Sequence, residues 1–169
     1  MSGIIRRDAT IDDAAALAKF FSDQYTATFG HLYDPADLAA FLENQTRESW
    51  AKELPDPDFA VRLAEQDGAI VGYAKFGPPH LPFTPSAGAA ELRQLYIIPL
   101  HHGNGIANEL IEWVCATARS RRASDLYLSV YVDNHRAHRF YAKLGFEEGR
   151  YAFMVGNQAD EDIVMRLTL

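Results

Sequence analysis

Alternating and helical patterns of apolar residues divide the first half of the chain into short strands and amphipathic helices. The clearest signal is a pair of alternating runs on either side of Asp67-Gly68, which predicts a β-hairpin. Helical spacing follows the cap-like residues Thr10 and Asp13, and a second helix is predicted to begin at Asp34-Pro35. We expect the aromatic segment 25–33 to connect these two helices.

The second half of the chain alternates strands with helices. The predicted elements are, in order, a proline-rich loop over residues 78–90, a strand from about Glu91 to Ile98, a helix from about Gly105 to Arg119, a strand over residues 125–132, a helix capped by Asn134 and closed by Gly145, and two antiparallel strands over residues 146–155 and 160–169. No repeat or linker interrupts this order. We therefore predict one α/β domain over residues 1–169.

Composition narrows the class of protein. The 169 residues are 48% hydrophobic and 23% charged, as in ordinary soluble proteins. No apolar run approaches the roughly 20 residues of a membrane span, and the N-terminus lacks the apolar core of a signal peptide. Cys115 is the only cysteine, so we expect a cytoplasmic protein without an intrachain disulfide. The net charge of −7 argues against a nucleic-acid partner.

The segment "ELRQLYIIPLHHGNGIANELIEWV", residues 91–114, passes from strand to helix through Gly103-Asn104-Gly105. A helix N-terminus exposes unpaired N–H groups, and glycines let a phosphate approach them closely. The turn therefore indicates either a phosphate site or simply a tight junction between strand and helix. A Walker loop would need a lysine, and a dinucleotide fingerprint would need a small residue at Asn108. The pattern that fits is Arg/Gln-x-x-Gly-x-Gly/Ala, with His102 in its first position.

Two motifs make the chain similar to the GCN5-related N-acetyltransferase (GNAT) family. The segment "LYIIPLHHGNGIANELI" resembles the family's strand-four and helix-three pyrophosphate loop. About thirty residues further on, "NHRAHRFYAKLGF" resembles the family's Asn-x-x-Ala-x-x-Phe-Tyr-x-x-x-Gly-Phe helix. The resemblance covers nearly the whole chain. It implies a mixed, mostly antiparallel seven-stranded sheet, flanked by about four helices and splayed between strands four and five.

The resemblance also implies acetyl-CoA as the acyl donor and assigns residues to its binding. The backbone of Leu95, Tyr96 and Ile97 would pair with the pantetheine amides. The pyrophosphate would be held by the backbone of the loop residues His102, Gly103, Asn104, Gly105, Ile106 and Ala107. His102 replaces the usual Arg or Gln, but the loop acts mainly through backbone amides, so binding should survive.

The second motif implies further contacts with the cofactor. Asn134 would touch it, and the small side chain of Ala137 would leave room for it. The residue that meets the 3′-phosphate stays open between Arg136, Arg139 and Lys143.

Two side chains are candidates for proton transfer. The resemblance places Tyr141 beside the thioester sulfur, where a phenol with a pKa of about 10 can act as an acid; alternatively, the ring only packs a helix against the sheet. Glu91 occupies the position of a base in some family members, or is a solvated strand-end carboxylate paired with Arg93. Ser129, at the family's other base position, is too weak a base unaided.

Charge and resemblance together suggest the acceptor. Residues 12–67 hold 12 acidic against 4 basic residues, which favours a cation. The segments "TFGHLYDPADLAAFL" and "ELRQLYIIP" resemble the branch that contains polyamine acetyltransferases. We therefore expect a small polyamine or similar primary amine. The alternatives are acetylation of a protein or peptide, acetylation of an aminoglycoside, and a non-catalytic acyl-CoA sensor. Candidate lining residues, equally suited to the core, are Tyr25, Phe29, Tyr33, Phe83 and Glu91.

The histidines invite a zinc interpretation. They are His101, His102, His135 and His138. No acidic or thiol ligand follows at the spacing of a metal site, so we predict surface histidines and no metal. The family resemblance is compatible with a homodimer formed through the C-terminal strands.

Overall fold

The structure is a computed structural model that describes residues 3–153 and 161–169. The strands and α-helices of this part are β1 Ile5–Asp8, α1 Ala14–Phe29, α2 Pro35–Leu42, α3 Arg47–Glu53, β2 Ala60–Gln66, β3 Ala69–Gly77, β4 Ala90–Ile97, α4 Ile106–Ser120, β5 Asp125–Tyr131, α5 His135–Lys143, β6 Glu147–Phe153 and β7 Glu161–Thr168. Short 3-10 helices cover Ile11–Asp13, Gly30–Leu32 and Pro99–His101. None of the described helices is long and apolar enough to cross a membrane.

The strands form a seven-stranded sheet in the order β1-β2-β3-β4-β5-β7-β6. The β1–β2, β5–β7 and β6–β7 pairs are antiparallel, whereas β4 and β5 are parallel. Asp67 and Gly68 have φ angles of 53° and 80°, the left-handed values of a two-residue hairpin turn between β2 and β3. The mixed, mostly antiparallel sheet is therefore confirmed.

The parallel pairing of β4 with β5 is short. Ala90 is opposite Leu126 and Glu91 is opposite Tyr127, and these are the register pairs of the two strands in the described structure. Because β4 continues to Ile97, most of its length lies beyond this pairing. This short pairing accords with the splay of strands four and five that the family resemblance implied.

The first of two compact units consists of residues up to 75 and residues 94–112. Its core joins α1 and α3 to β2 and β3 through buried Ala14, Leu17, Phe21, Trp50, Val61, Leu63 and Tyr73. At its edge, Arg7 donates two hydrogen bonds of 2.9 and 2.7 Å to the Asp13 carboxylate. These bonds lower the pKa of Asp13 and fix β1 to the start of α1.

The second unit consists of residues 76–93 and the chain from 113 onward. Leu126 and Leu128 of β5 are buried opposite Leu167 and Met165 of β7. The other face of these strands carries Tyr127 and Val164, which pack against Leu81, Phe83 and Ala89 of the loop before β4. This loop therefore lies on the sheet face that carries the odd-numbered residues of β5.

Two helical segments differ from the sequence-based expectation. Helix α1 continues through the expected connector to Phe29, because Tyr25 stacks on Phe21 and Phe41 with ring centroids 5.5 and 4.6 Å apart. Helix α3 was not predicted, so the described part has five α-helices rather than about four. The ends of the predicted closing strands, Met154, Val155 and Asp160, lie outside the described residues.

Candidate active site

Glu91 is a buried carboxylate near the start of β4, with 6% of its surface exposed. Its Oε2 lies 3.1 Å from Nε of Arg93, and its Oε1 accepts a 3.3 Å hydrogen bond from the backbone N–H of His80. Burial is the largest influence on the group and raises the pKa of Glu91 from 4.5 to about 7, although Arg93 and His80 oppose the shift. A carboxylate with this pKa can both take and release a proton near neutral pH.

These contacts bear on the two alternatives for Glu91, a base or a solvated strand-end carboxylate paired with Arg93. The ion pair with Arg93 is present, but the carboxylate is not a solvated strand-end group. The loop before β4 covers it, since Arg93 also donates a 3.1 Å hydrogen bond to the carbonyl of Pro78. The role of Glu91 as a base remains a prediction.

Tyr141 lies on α5, which begins at Asn134. The Asn134 side chain accepts a 3.3 Å hydrogen bond from the backbone N–H of Ala137 and so caps the helix. The Tyr141 ring is partly buried and contacts Phe140 and Phe146, with centroid distances of 5.3 and 5.6 Å. Burial raises the pKa of the Tyr141 phenol above its usual value of 10.0. The phenol is therefore protonated at neutral pH and able to donate its proton.

The turn between β4 and α4 has an open surface. Gly103 and Gly105 have φ angles of 81° and 82°, and an added Cβ at either position would meet no atom within 4 Å. The first backbone bond into α4 runs from Glu109 N to Gly105 O at 3.1 Å, so the N–H groups of the three preceding residues have no partner within the helix. Free amides beside uncovered glycines fit the approach of a pyrophosphate.

His102 connects this turn to the end of β4. Its Nε2 lies 2.8 Å from the carbonyl oxygen of Ile97. A carbonyl oxygen only accepts, so Nε2 carries the hydrogen. The exposed ring thus fixes the loop to the strand through a side chain, at the position where the family usually has Arg or Gln.

Two of the predicted surface histidines are buried, so that prediction is wrong for His101 and His138. His101 Nε2 lies 3.1 Å from Oε1 of Gln66. His138 Nε2 lies 2.9 Å from the carbonyl oxygen of Tyr131, and its Nδ1 lies 3.3 Å from Oε1 of Glu148. Both rings therefore serve structural hydrogen bonds. The described residues contain no group of three His, Cys, Asp or Glu side chains placed to hold a metal ion.

The predicted site residues belong to both compact units. The first unit contains the proposed donor-binding residues Leu95, Tyr96, Ile97, His102, Gly103, Asn104, Gly105, Ile106 and Ala107. The second unit contains Glu91, Asn134 and Tyr141. In the first unit, the Tyr96 ring contacts the edge of Phe21 at 5.6 Å, so this side chain is part of the core while its backbone lies on β4.

Gly72, which the sequence pattern did not single out, lies next to the end of β4 that carries predicted donor-binding residues. It lies on β3, where an added Cβ would be 2.9 Å from Cγ1 of Ile97 and 3.0 Å from the carbonyl oxygen of Tyr96. The end of β4 can approach β3 this closely because residue 72 has no side chain. An isolated glycine in the strand pattern "AIVGYAKF" is the signal that could have revealed it.

Comparison with known proteins places these features in a family. The profile of the acetyltransferase (GNAT) family matches residues 15–146. An uncharacterized N-acetyltransferase of Mycobacterium tuberculosis is 38% identical over 133 residues, covering 78% of this chain and 81% of that protein. An aminoalkylphosphonate N-acetyltransferase of Salmonella typhimurium is 29% identical over 109 residues, covering 63% and 69%.

The fold agrees with a solved structure. PaiA N-acetyltransferase from Thermoplasma acidophilum in complex with coenzyme A has a TM-score of 0.78 at 19% identity, covering 99% of this chain and 99% of that chain. This likeness confirms the predicted architecture. Because the family profile spans most of the sequence, the chain belongs to the GNAT family of N-acetyltransferases.

Proposed function

We propose that the protein transfers the acetyl group of acetyl-CoA to a small primary amine. Membership of the family supports the reaction class, and the coenzyme A bound to the Thermoplasma protein supports the donor. The observation that carries the proposal is the buried Glu91 carboxylate, whose pKa of about 7 suits a base at neutral pH. The family profile spans residues of both compact units, which supports a single catalytic domain.

Glu91 and Tyr141 supply the two proton transfers. Ionised Glu91 accepts a proton from the ammonium group of the acceptor, and the freed lone pair attacks the thioester carbonyl. A carbon–nitrogen bond forms and the carbon–sulfur bond breaks. The Tyr141 phenol gives its proton to the leaving thiolate. The nitrogen of the tetrahedral adduct loses its surplus proton through solvent, which restores the phenol, and Glu91 releases the first proton to solvent.

The donor would be held mainly by backbone groups. The N–H groups at the start of α4, beside Gly103 and Gly105, would bind its pyrophosphate, and the backbone of Leu95–Ile97 would bind its pantetheine arm. His102 would keep the loop in place through the Ile97 carbonyl.

A polyamine or similar small cationic amine is the proposed acceptor. The excess of 12 acidic over 4 basic residues in the segment 12–67 supports a cation. The named activity of the Salmonella relative also concerns a small amine. Acetylation of a peptide and acyl-CoA sensing without turnover are the competing outcomes.

Thiol release from acetyl-CoA, measured with panels of polyamines, aminoalkylphosphonates, aminoglycosides and peptides, tests the proposal. Wild type, Glu91→Gln and Tyr141→Phe are compared, with Glu112→Gln as a control because Glu112 is an exposed acid on α4. We expect turnover of one amine class, lowered by about 100-fold in Glu91→Gln and by a smaller factor in Tyr141→Phe, where water can donate instead.

Two results would contradict the proposal. Tight binding of acetyl-CoA without turnover of any amine would favour the sensor. Full activity of Glu91→Gln would show that Glu91 does not act as the base.

A further inference from the structure

A cavity of about 320 Å³ lies within the second unit, between loop residues 83–86 and one face of strands β5, β6 and β7. This volume is in the range of sites for small molecules. Phe83 lines the loop side, and its ring meets that of Tyr127 edge-on with centroids 6.0 Å apart. Ser86 fixes the loop by donating a 2.8 Å hydrogen bond to Asp125. The loop side of the cavity is therefore aromatic, and a hydrogen bond to β5 holds this loop in place.

A row of paired residues relates this cavity to Glu91. Glu91 is opposite Tyr127, Tyr127 is opposite Arg166, and Arg166 is opposite Glu147. Directly paired residues on neighbouring strands project to the same face of the sheet. Tyr127, Arg166 and Glu147 line the cavity, whereas Glu91 lies one strand beyond it. With strands about 4.8 Å apart, Glu91 and Glu147 are separated by three spacings, or about 14 Å along the row.

Some of the charged side chains that line the cavity have a nearby partner, and others do not. Arg166 Nε lies 3.9 Å from the Asp125 carboxylate, and Glu148 lies 3.3 Å from His138. Among the side chains that the structure describes, which do not include that of Arg150, no cationic group lies within ion-pair distance of Glu147. The cavity therefore offers a carboxylate to a ligand beside aromatic surfaces, which favour both methylene groups and cations.

We propose that this cavity holds the second ammonium group of a diamine or polyamine acceptor, with Glu147 as its counter-ion. Phe83 and Tyr127 pack against the methylene chain that joins this group to the reacting amine at Glu91. The inference rests on the proposed function, because it takes Glu91 as the base. It adds that the distance between the two amines determines specificity.

Arg166 is the feature of the cavity that favours a different ligand. A guanidinium suits an acceptor with a carboxylate or phosphonate group. Its charge is offset by Asp125, so the cation is the better fit.

Steady-state kinetics on a series of unbranched α,ω-diamines of increasing length, with spermidine and monoamines of matched length, tests the proposal. Wild type is compared with Glu147→Gln and with the control Glu112→Gln. We expect wild-type KM to be about tenfold lower for long diamines than for matched monoamines, a typical gain for one charge-assisted contact. Glu147→Gln should abolish this difference while kcat and the KM for monoamines stay unchanged.

A charge reversal provides an independent readout. Glu147→Lys should disfavour long diamines and improve the KM for ω-amino acids, which carry a carboxylate at the far end. Equal KM values for diamines and monoamines in wild type would overturn the proposal, as would a loss in Glu147→Gln that is the same for both. Preference for aminoalkylphosphonates that disappears in Arg166→Gln would overturn it in favour of a zwitterionic acceptor.

Failure of the proposed function gives a different result. If no amine turns over, calorimetric binding of a long diamine to wild type and Glu147→Gln still tests the cavity. Weaker binding to the variant supports the site, and equal binding overturns it.

Discussion

At the scale of single residues, Glu91 combines burial with an ionisable group. An isolated carboxylate in this position would be strongly disfavoured, and Arg93 and the His80 amide compensate in part. The raised pKa shows that the compensation is incomplete. Retaining an acid here therefore has an energetic cost that an amide would avoid.

That cost gives a prediction for stability. Between the ordinary pKa of 4.5 and the folded value of about 7, the folded protein keeps a proton that the unfolded chain has lost. The stability of wild type should consequently fall as the pH rises through this window, by about 3 kcal/mol in total from this group. The Glu91→Gln variant has no ionisable group at this position and does not lose stability in this way. Its free energy of unfolding, minus that of wild type, should therefore increase from about pH 5 to about pH 8.

Urea unfolding at both pH values measures this difference. Glu112→Gln, an exposed change on α4, should follow wild type. Identical pH dependence of wild type and Glu91→Gln would show that Glu91 ionises in the folded protein as it does in water.

The sequence located the proposed acid and base but not their surroundings. Motif spacing identified Tyr141 and Glu91 by number. The burial of Glu91 depends on the loop 78–90, whose four prolines and lack of periodicity give no local indication of where it packs. The buried state of His101 and His138 likewise depends on partners distant in sequence, such as Gln66.

At the scale of elements, an ion pair joins α3 to β3. The Lys75 ammonium contacts the Glu53 carboxylate and lies 4.8 Å from the centroid of the Trp50 ring. Lys75 is 6% exposed, so its charge depends on these contacts. Removing Glu53 would leave the buried Lys75 ammonium without its partner, whereas the Glu53 side chain is 32% exposed and could be solvated if Lys75 were removed.

Glu53→Gln should therefore lower the free energy of unfolding by about 3 kcal/mol. Adding Lys75→Met to it should recover part of this loss, because no charge is then left over. Chemical denaturation of the two single variants and the double variant measures the coupling. Strictly additive effects would show that the two side chains do not interact.

The close approach of β3 and β4 gives a second prediction at this scale. Gly72→Ala should destabilise the protein by about 1–3 kcal/mol, because the new methyl group overlaps Ile97 and the Tyr96 carbonyl. It should also weaken acetyl-CoA binding, since the displaced strand end is the proposed pantetheine partner.

Gly3→Ala is the matched control, because an added Cβ there meets no atom within 4 Å. Thermal unfolding and calorimetric titration with acetyl-CoA measure both effects. If Gly72→Ala is destabilised but binds acetyl-CoA with unchanged affinity, the end of β4 does not contribute to donor binding.

Helix α3 shows where element prediction failed. Its start carries a usable signal, since the Thr46 side chain accepts a 3.3 Å hydrogen bond from Ser49 N. The helix has only seven residues and a single buried residue, Trp50, so it offers no amphipathic repeat. Its position is set by the packing of Trp50 against Tyr73, a contact that local patterns do not encode.

At the scale of the whole molecule, local signals were sufficient for the topology. The Asp67-Gly68 turn, the junction into α4 and the capped helix α5 each mark a change of direction, and their order is that of the family. Local signals are not sufficient to predict the acceptor, because its recognition depends on side chains from several strands. Tyr127, Arg166 and Glu147 become neighbours only through the register of β5, β7 and β6.

The pH dependence of kcat/KM, followed by thiol release with the best acceptor, tests the role of Glu91 most directly. For wild type we expect kcat/KM to rise with pH through an apparent pKa near 7, as Glu91 ionises. In Glu91→Gln this rise should be absent, and kcat/KM above pH 7 should be about 100-fold lower than in wild type. A limb near pH 7 that persists unchanged in Glu91→Gln would show that another group accepts the proton.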